Sequence, residues 1–123
     1  MRFATLLFLA SLVPASAPCF AESWSGHLVD SNCYTNEENN TNKDPSTTDR
    51  DMSMELRACT PTAKTKDFAV VLQNWTSLKL DPAGNANAAG LVRSSGKKPV
   101  LDVTVTGDRN GDTIAVGSIS AER

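Results

Sequence analysis

The stretch WSGHLVDSNCY at residues 24–34 brings three chemically capable side chains close together: His27, Asp30 and Cys33. His27 is the single histidine of the chain. An imidazole, a carboxylate and a thiol suit a nucleophilic site, where a base activates the thiol, or part of a metal site. The same residues equally suit the end of a first strand followed by one half of a disulfide. The secondary structure predicted around these three residues decides between a functional site and a purely structural role.

Strand alternation separates the imidazole from the carboxylate. In a regular strand, His27 and Val29 share one face, while Leu28 and Asp30 share the other. With Gly26 and Leu28 directed inwards, His27 faces solvent. A zinc site needs three or four convergent ligands, and no second histidine is present. We therefore predict no catalytic residue and no metal ligand, and interpret His27 as a surface or structural residue.

The N-terminus has the three-part layout of a secretory signal peptide. Arg2 precedes an apolar run at residues 3–13, and Pro14 and small residues follow. A run of about 11 residues is too short to cross a bilayer, which takes roughly 20. We predict a signal peptide at residues 1–21, cleaved after Ala21 or alternatively after Ala17. The protein would then be secreted or periplasmic, with no membrane anchor after cleavage.

The remaining chain, residues 22–123, is long enough for one modest domain. The formal net charge of −2 becomes −3 when Arg2 leaves with the signal. An acidic chain without a basic stripe does not have the phosphate-binding surface of a nucleic-acid-binding protein. We predict a monomer that binds no nucleic acid.

Cysteine usage predicts one disulfide. Cys19 lies within the predicted signal, which leaves Cys33 and Cys59 in an oxidising compartment. The chain-entropy estimate for closing this loop is about 3.5 kcal/mol of stability. A bonded Cys33 cannot act as a nucleophile, which favours the structural interpretation of the opening stretch.

The segment at residues 31–66 is polar and rich in turn-forming residues, and we interpret it as a long loop tethered by the disulfide. Only DRDMSMELRAC has helical spacing, with Asp49 or Asp51 as a cap for one or two turns.

The rest of the chain alternates as strands do. The five predicted strands and one short helix are WSGHLVD, FAVVLQN, SLKLD, the helix NANAAGLVR, PVLDVTVTG and TIAVGSI. In the helix, Ala86, Ala89 and Val92 form the expected inner face. Five strands with a helix after the third are typical of a small OB-like Greek-key barrel. The protein is therefore predicted to be mainly β, and an open antiparallel meander sheet is the alternative.

Three stretches resemble a family of small exported bacterial OB-like β-barrel domains of unknown function. They are Gly26-x-Leu28-x-Asp30-x-x-Cys33, LKLD within residues 77–81 followed by GN, and VTG…GDTIAV at residues 105–116. The resemblance covers most of the chain after the signal, but the hairpin at Asn74 has Trp75 where the family favours glycine. It implies export and the barrel fold, and brings no catalytic residue with it.

We expect Tyr34, Trp75 and His27 to form a binding surface beside the disulfide loop. The predicted function is an exported, non-enzymatic binding module of the cell envelope or periplasm, without a cofactor, for an unknown protein or small molecule. The alternative is a secreted enzyme inhibitor or stress-protection protein that acts through the loop at residues 34–58. A third class, a hydrolase or metal-dependent enzyme, would use His27 with acidic loop residues.

Overall fold

The computed structural model describes residues 21–41, 49–95 and 101–122. Within them lie five strands and three helices. In chain order these are β1 (Glu22–Asp30), α1 (Ser31–Thr41), α2 (Asp49–Ala58), β2 (Phe68–Val71), β3 (Ser77–Leu80), α3 (Pro82–Ser94), β4 (Leu101–Asn110) and β5 (Thr113–Ala121).

The five strands close into a barrel in the order β1-β2-β3-β5-β4, and β4 returns to pair with β1. His27 and Leu28 pair with β2 on one side and with β4 on the other. β3 and β5 are parallel neighbours, and the other neighbours are antiparallel. The predicted small five-stranded barrel is confirmed, and the open meander alternative is wrong.

β1 crosses β2 closely at Gly26. A Cβ atom at this position would lie 2.8 Å from the carbonyl carbon of Val71 and 3.0 Å from Cγ2 of Val70. Both distances are shorter than ordinary carbon–carbon contacts of about 3.5–4.0 Å. Because glycine has no Cβ atom, β1 can approach β2 closely at residue 26 while it also pairs with β4.

The barrel interior follows from the alternation along the strands. In β4, Leu101, Val103 and Val105 are buried, while Asp102 is exposed. Each fully buried aliphatic side chain contributes roughly 1.5–3 kcal/mol relative to an exposed one. The buried members of this first cluster are Leu28, Phe68, Val70, Leu78, Leu80, Ala88, Leu101, Val103, Val105 and Ile114.

The disulfide-tethered segment contains more structure than the sequence predicts. α2 extends the helical turn predicted there, and α1 was not predicted. α1 lacks apolar periodicity, so other contacts must hold it. Its first turn is capped by Asp30, whose Oδ1 accepts a hydrogen bond from the backbone N–H of Cys33 at 3.1 Å. Capping and the disulfide thus stabilise a helix that its own composition does not favour.

We call the segment between β1 and β2, residues 31–67, the insertion; it carries α1 and α2. A second hydrophobic cluster joins the insertion to the outside of the barrel. Its buried members are Val29, Tyr34, Leu56, Cys59, Ala69 and Val71, with Cys33 and Trp75 packed against them. All four residues of β2 are buried because this strand has the barrel core on one face and the insertion on the other. The insertion is therefore an integral layer of the domain.

α3 begins at a polar junction between three elements. Asp81 Oδ1 accepts hydrogen bonds from the backbone N–H groups of Gly84 at 2.9 Å and of Val116 in β5 at 3.2 Å. Pro82 follows, at a position where proline favours the first helical turn. One carboxylate therefore caps the helix and ties it to the barrel.

The inner face predicted for α3 was partly wrong. Ala89 and Val92 are half-buried, but Ala86 is exposed, and the buried positions are Gly84 and Ala88. The helix begins three residues before the predicted NANAAGLVR segment, and the face that contacts the barrel is set by the approach of its first turn to β5.

The predicted signal peptide and its cleavage sites lie almost entirely in residues 1–20, outside the described residues. In the described part of the chain, no helix combines the length and the apolar character needed to cross a membrane.

Candidate functional site

His27 is paired with a carboxylate that its sequence neighbourhood does not contain. The antiparallel register of β1 and β4 sets it directly opposite Asp102. The imidazole Nδ1 contacts Asp102 Oδ1, and the two side chains remain 39% and 50% exposed. The imidazole Nδ1 therefore faces the Asp102 carboxylate, although this contact does not have the geometry of a hydrogen bond.

A row of polar pairs continues along the same outer face of β1 and β4. Ser23 Oγ lies 3.0 Å from Thr106 Oγ1, and Ser25 Oγ lies 3.2 Å from Thr104 Oγ1. Thr104 also donates a hydrogen bond to Glu122 Oε1 at 2.6 Å. This hydrogen bond, followed by one from Ser25, lowers the pKa of Glu122. The outer wall is thus a hydrogen-bonded polar surface.

At the His27 end of this wall, α2 closes a cleft against the barrel. The cleft is lined by His27, Asp102, Ser53, Leu56 and Arg57 and has a volume of about 250 Å³. We call it the His27 cleft. It combines an imidazole, a hydroxyl, a guanidinium and a carboxylate beside one apolar side chain. Such a combination of a few polar groups around an apolar contact is typical of small-ligand sites.

The disulfide and the second cluster fix α2 as one wall of this cleft. Cys33 and Cys59 are bonded with a Cα–Cα distance of 5.5 Å, as the sequence predicts. Leu56 is buried in the second cluster and also lines the cleft. The backbone N–H of Asp30 donates to the carbonyl oxygen of Cys59 at 2.9 Å, which joins the end of α2 to the end of β1. The cleft is therefore held from both sides.

The trio that opened the sequence analysis is divided between separate tasks. His27 faces the cleft, Cys33 is in the disulfide, and Asp30 caps α1. Asp30 Oδ2 also accepts a hydrogen bond from Thr65 Oγ1 at 3.1 Å. The prediction that the imidazole and Asp30 do not converge agrees with these separate partners.

Tyr34 was wrongly assigned to an exposed surface. It is 1% exposed and packs in the second cluster, because the adjacent disulfide draws this part of α1 onto the barrel. Its hydroxyl has no hydrogen-bond partner in the described part of the chain. Burial, and then the charges of Glu38 and Glu55, raise its pKa. Tyr34 therefore contributes to the packing of α1 on the barrel and not to a binding surface.

Trp75 forms the tip of the β2–β3 hairpin and packs against the second cluster. Its backbone has φ 67°, a left-handed conformation that is strained for a bulky residue. The N–H of Trp75 donates to the carbonyl oxygen of Leu72 at 2.9 Å, which fits a type I turn followed by a left-handed residue. Of the three predicted surface residues, the structure brings only His27 to the cleft.

Sequence reasoning did not identify Asp102, Ser53 and Arg57. Asp102 is the polar, outward-facing position of an alternating strand, and only the β1–β4 register shows that it faces His27. Ser53 and Arg57 are four residues apart on α2, the spacing of one helix face. The sequence shows this spacing, but it does not show that α2 lies beside His27.

The cleft suits polar recognition. Arg57 offers donors to an oxygen-bearing ligand, and the hydroxyl of Ser53 both donates and accepts. In the neutral ring of His27, the protonated Nδ1 faces Asp102 and Nε2 is an acceptor. Serine, histidine and aspartate are also the residue types of an acyl-transfer triad. Among residues 21–41, 49–95 and 101–122, no three His, Cys, Asp or Glu side chains are grouped as metal ligands.

Comparisons of the chain with protein-family models, with curated proteins and with solved structures gave no match. The suspected relationship to exported OB-like barrel domains therefore stays a prediction.

Proposed function

We propose that this protein is an exported, non-enzymatic binding module that holds a small polar ligand in the His27 cleft. The observation that carries the proposal is the convergence of His27 and Arg57, from β1 and α2, on one cavity of about 250 Å³. This volume is slightly below the range of drug-sized pockets and suits a molecule of amino-acid or monosaccharide size.

Rigidity of both walls supports binding. His27 is on a strand paired on both sides, and Arg57 is on a helix attached through the Cys33–Cys59 disulfide. A site whose backbone positions are fixed before binding loses less conformational entropy when the ligand arrives. The fold thus favours recognition by a preformed cleft.

The disulfide also supports the proposed location. Disulfides persist in the periplasm and outside the cell, and are rare in the reducing cytosol. Together with the predicted signal peptide, the bonded Cys33 and Cys59 favour a secreted or periplasmic protein.

The test is a chemical-shift titration of the oxidised protein with glycine, glutamate, succinate, glucose and galacturonate. We expect at least one compound to shift the amides around His27 and Arg57. The substitutions His27→Gln and Arg57→Gln should each weaken that response, whereas Lys79→Gln, on the exposed side of β3, should leave it unchanged.

Two results would overturn the proposal. Absence of shifts with all five compounds, or equal shifts in the wild type and both cleft variants, would refute binding at this site. Hydrolysis of p-nitrophenyl acetate that is abolished by Ser53→Ala would refute the non-enzymatic assignment and favour the hydrolase class.

As a second candidate function, the protein binds another protein through the loop at residues 34–58. It would then act as an enzyme inhibitor or as a stress-protection protein. Met54 on α2 favours it, because its side chain is large, apolar and 59% exposed. Methionine side chains are flexible and apolar, and they are used often at surfaces that bind several partners. If this candidate holds, Met54→Ser weakens capture of an envelope protein by the immobilised domain, whereas Lys79→Ser does not.

A further inference from the structure

A second concave surface lies on another part of the molecule, between the end of the insertion and α3. We call it the basic groove. It has a volume of about 660 Å³ and is lined by Ala63, Lys64, Thr65, Lys66 and Asp67 on one side and by Pro82, Asn85, Ala86, Ala89 and Arg93 on the other. None of these residues lines the His27 cleft.

The anchoring of Thr65 sets the direction of the two lysines. Thr65 is 8% exposed, and its Oγ1 donates to Asp30 at 3.1 Å and accepts from the backbone N–H of Thr62 at 3.0 Å. Because Thr65 points into the protein, its exposed neighbours Lys64 and Lys66 are directed outwards. Both line the groove. The segment thus presents two ammonium groups from an anchored backbone.

The α3 side of the groove adds further hydrogen-bond donors, and small side chains lie between them. Asn85 Oδ1 accepts a hydrogen bond from the backbone N–H of Phe68 at 2.9 Å, which leaves the Nδ2 amide group as the donor. Arg93 Nη2 would lie 3.9 Å from a Cβ atom on Gly90, so its guanidinium folds back along the helix. Ala86 and Ala89 are too small to fill the space between them.

The charge of the groove is opposite to that of the surrounding protein. Among the residues whose side chains the structure describes are eleven Asp or Glu, of which only Asp67 lines the groove. They also include six Lys or Arg, namely Arg57, Lys64, Lys66, Lys79, Arg93 and Arg109, and three of these line it. Within the described ranges, Lys64, Lys66 and Arg93 form no ion pair. Among the described lining residues, three cationic groups against one carboxylate leave a local excess of positive charge.

We propose that the basic groove binds a ligand through a phosphate or sulfate group. Lysine ammonium and arginine guanidinium groups form strong charge-assisted hydrogen bonds with such oxyanions, and a neutral amide adds a directed donor. The groove provides all three types from Lys64, Lys66, Arg93 and Asn85. This site is independent of the function proposed for the His27 cleft.

The experiment is calorimetric and NMR titration of the oxidised protein at low ionic strength with inorganic phosphate, pyrophosphate and sulfate. A parallel arm uses vesicles of phosphatidylglycerol, with phosphatidylcholine vesicles as the uncharged reference. Binding of the free anions alone identifies a soluble ligand, and stronger binding of the phosphatidylglycerol vesicles identifies a lipid headgroup. Both outcomes support an oxyanion site.

The variants locate the binding. Lys64→Gln combined with Lys66→Gln should weaken the affinity about tenfold, since two solvent-exposed charge contacts are lost. Asn85→Asp retains the acceptor for Phe68 and replaces the amide donor with a negative charge, so it should weaken binding to a similar extent. Lys79→Gln removes one charge outside the groove and should change the affinity less than twofold.

Equal weakening by Lys79→Gln and by a groove variant would show attraction by charge alone and would overturn the proposal. So would failure of pyrophosphate, sulfate and phosphatidylglycerol vesicles to bind at all. Because Lys64, Lys66 and Lys79 are exposed, their glutamine variants should fold, and unchanged melting curves check this.

Discussion

The substitution of glycine by alanine can be compared at two positions of α3, one packed against the barrel and one open. Gly84 is in the first turn, against β5, and Gly90 is in the helix interior on its open side. Replacing either one with alanine improves helix propensity, by up to about 1 kcal/mol in a helix interior. Propensity alone therefore predicts that both variants are more stable than the wild type.

Packing reverses this expectation at one position. A Cβ atom on Gly84 would overlap Cγ2 of Val116 and would lie 2.9 Å from its Cβ and 3.0 Å from Cβ of Leu80. Overpacking of this kind costs about 1–3 kcal/mol. A Cβ atom on Gly90 meets nothing closer than Arg93 Nη2 at 3.9 Å. We expect Gly84→Ala to lower the free energy of unfolding by about 1–2 kcal/mol. We expect Gly90→Ala to raise it by about 0.5–1 kcal/mol.

The assay is urea unfolding of the oxidised protein, followed by circular dichroism, with both variants measured beside the wild type. The double variant Gly84→Ala/Val116→Ala removes the overlapping methyl group and should be more stable than the sum of its single effects, because the two sites are in contact. Stabilisation by Gly84→Ala, or purely additive effects in the double variant, would refute the close packing of α3 on β5.

The remaining predictions concern the insertion. Cys33→Ser/Cys59→Ser should lower the free energy of unfolding by about 3.5 kcal/mol, from loop-closure entropy, in urea unfolding; a loss below 1 kcal/mol would show that the second cluster suffices. Burial, and then Glu55, raise the pKa of Glu38, so folding favours its protonated form and this stability is lost as the pH rises through the raised pKa. Glu38→Gln should therefore stabilise the protein at pH 7.5, by less than about 1 kcal/mol, and not at pH 3.5; an equal gain at both pH values would exclude a charge effect. Trp75→Asn and Trp75→Ala lose the same packing, but asparagine tolerates φ 67°, so the Asn variant should be the more stable by about 1 kcal/mol in thermal unfolding; equal stabilities would show that the turn relaxes.

The barrel was predictable because its signals are local. Alternation in β4 indicated which residues face inwards, and the even number of cysteines left for an oxidising compartment indicated the Cys33–Cys59 bond. The helix between β3 and β4 then restricted the strand order to a few arrangements.

The insertion and the cleft depend on contacts between distant residues. α1 is polar apart from Cys33 and Tyr34, and its helical state depends on the Asp30 cap and the disulfide. Tyr34 is a lone aromatic in a polar segment, so the sequence suggested exposure, whereas the disulfide places it in the second cluster. Likewise, the pairing of His27 with Asp102 requires the register between strands that are far apart in sequence.

The disulfide also affects how quickly the barrel can form. Asp30 pairs with Phe68, 38 positions later, and the β1–β4 pairs are more distant still. Domains dominated by such non-local pairs fold slowly, because chain entropy is lost before the contacts form. The Cys33–Cys59 bond shortens the path from β1 to β2 to roughly a dozen residues, which lowers the closure cost of this pair by about 1 kcal/mol. We therefore expect β1 and β2 to pair earlier when the disulfide forms before the barrel closes.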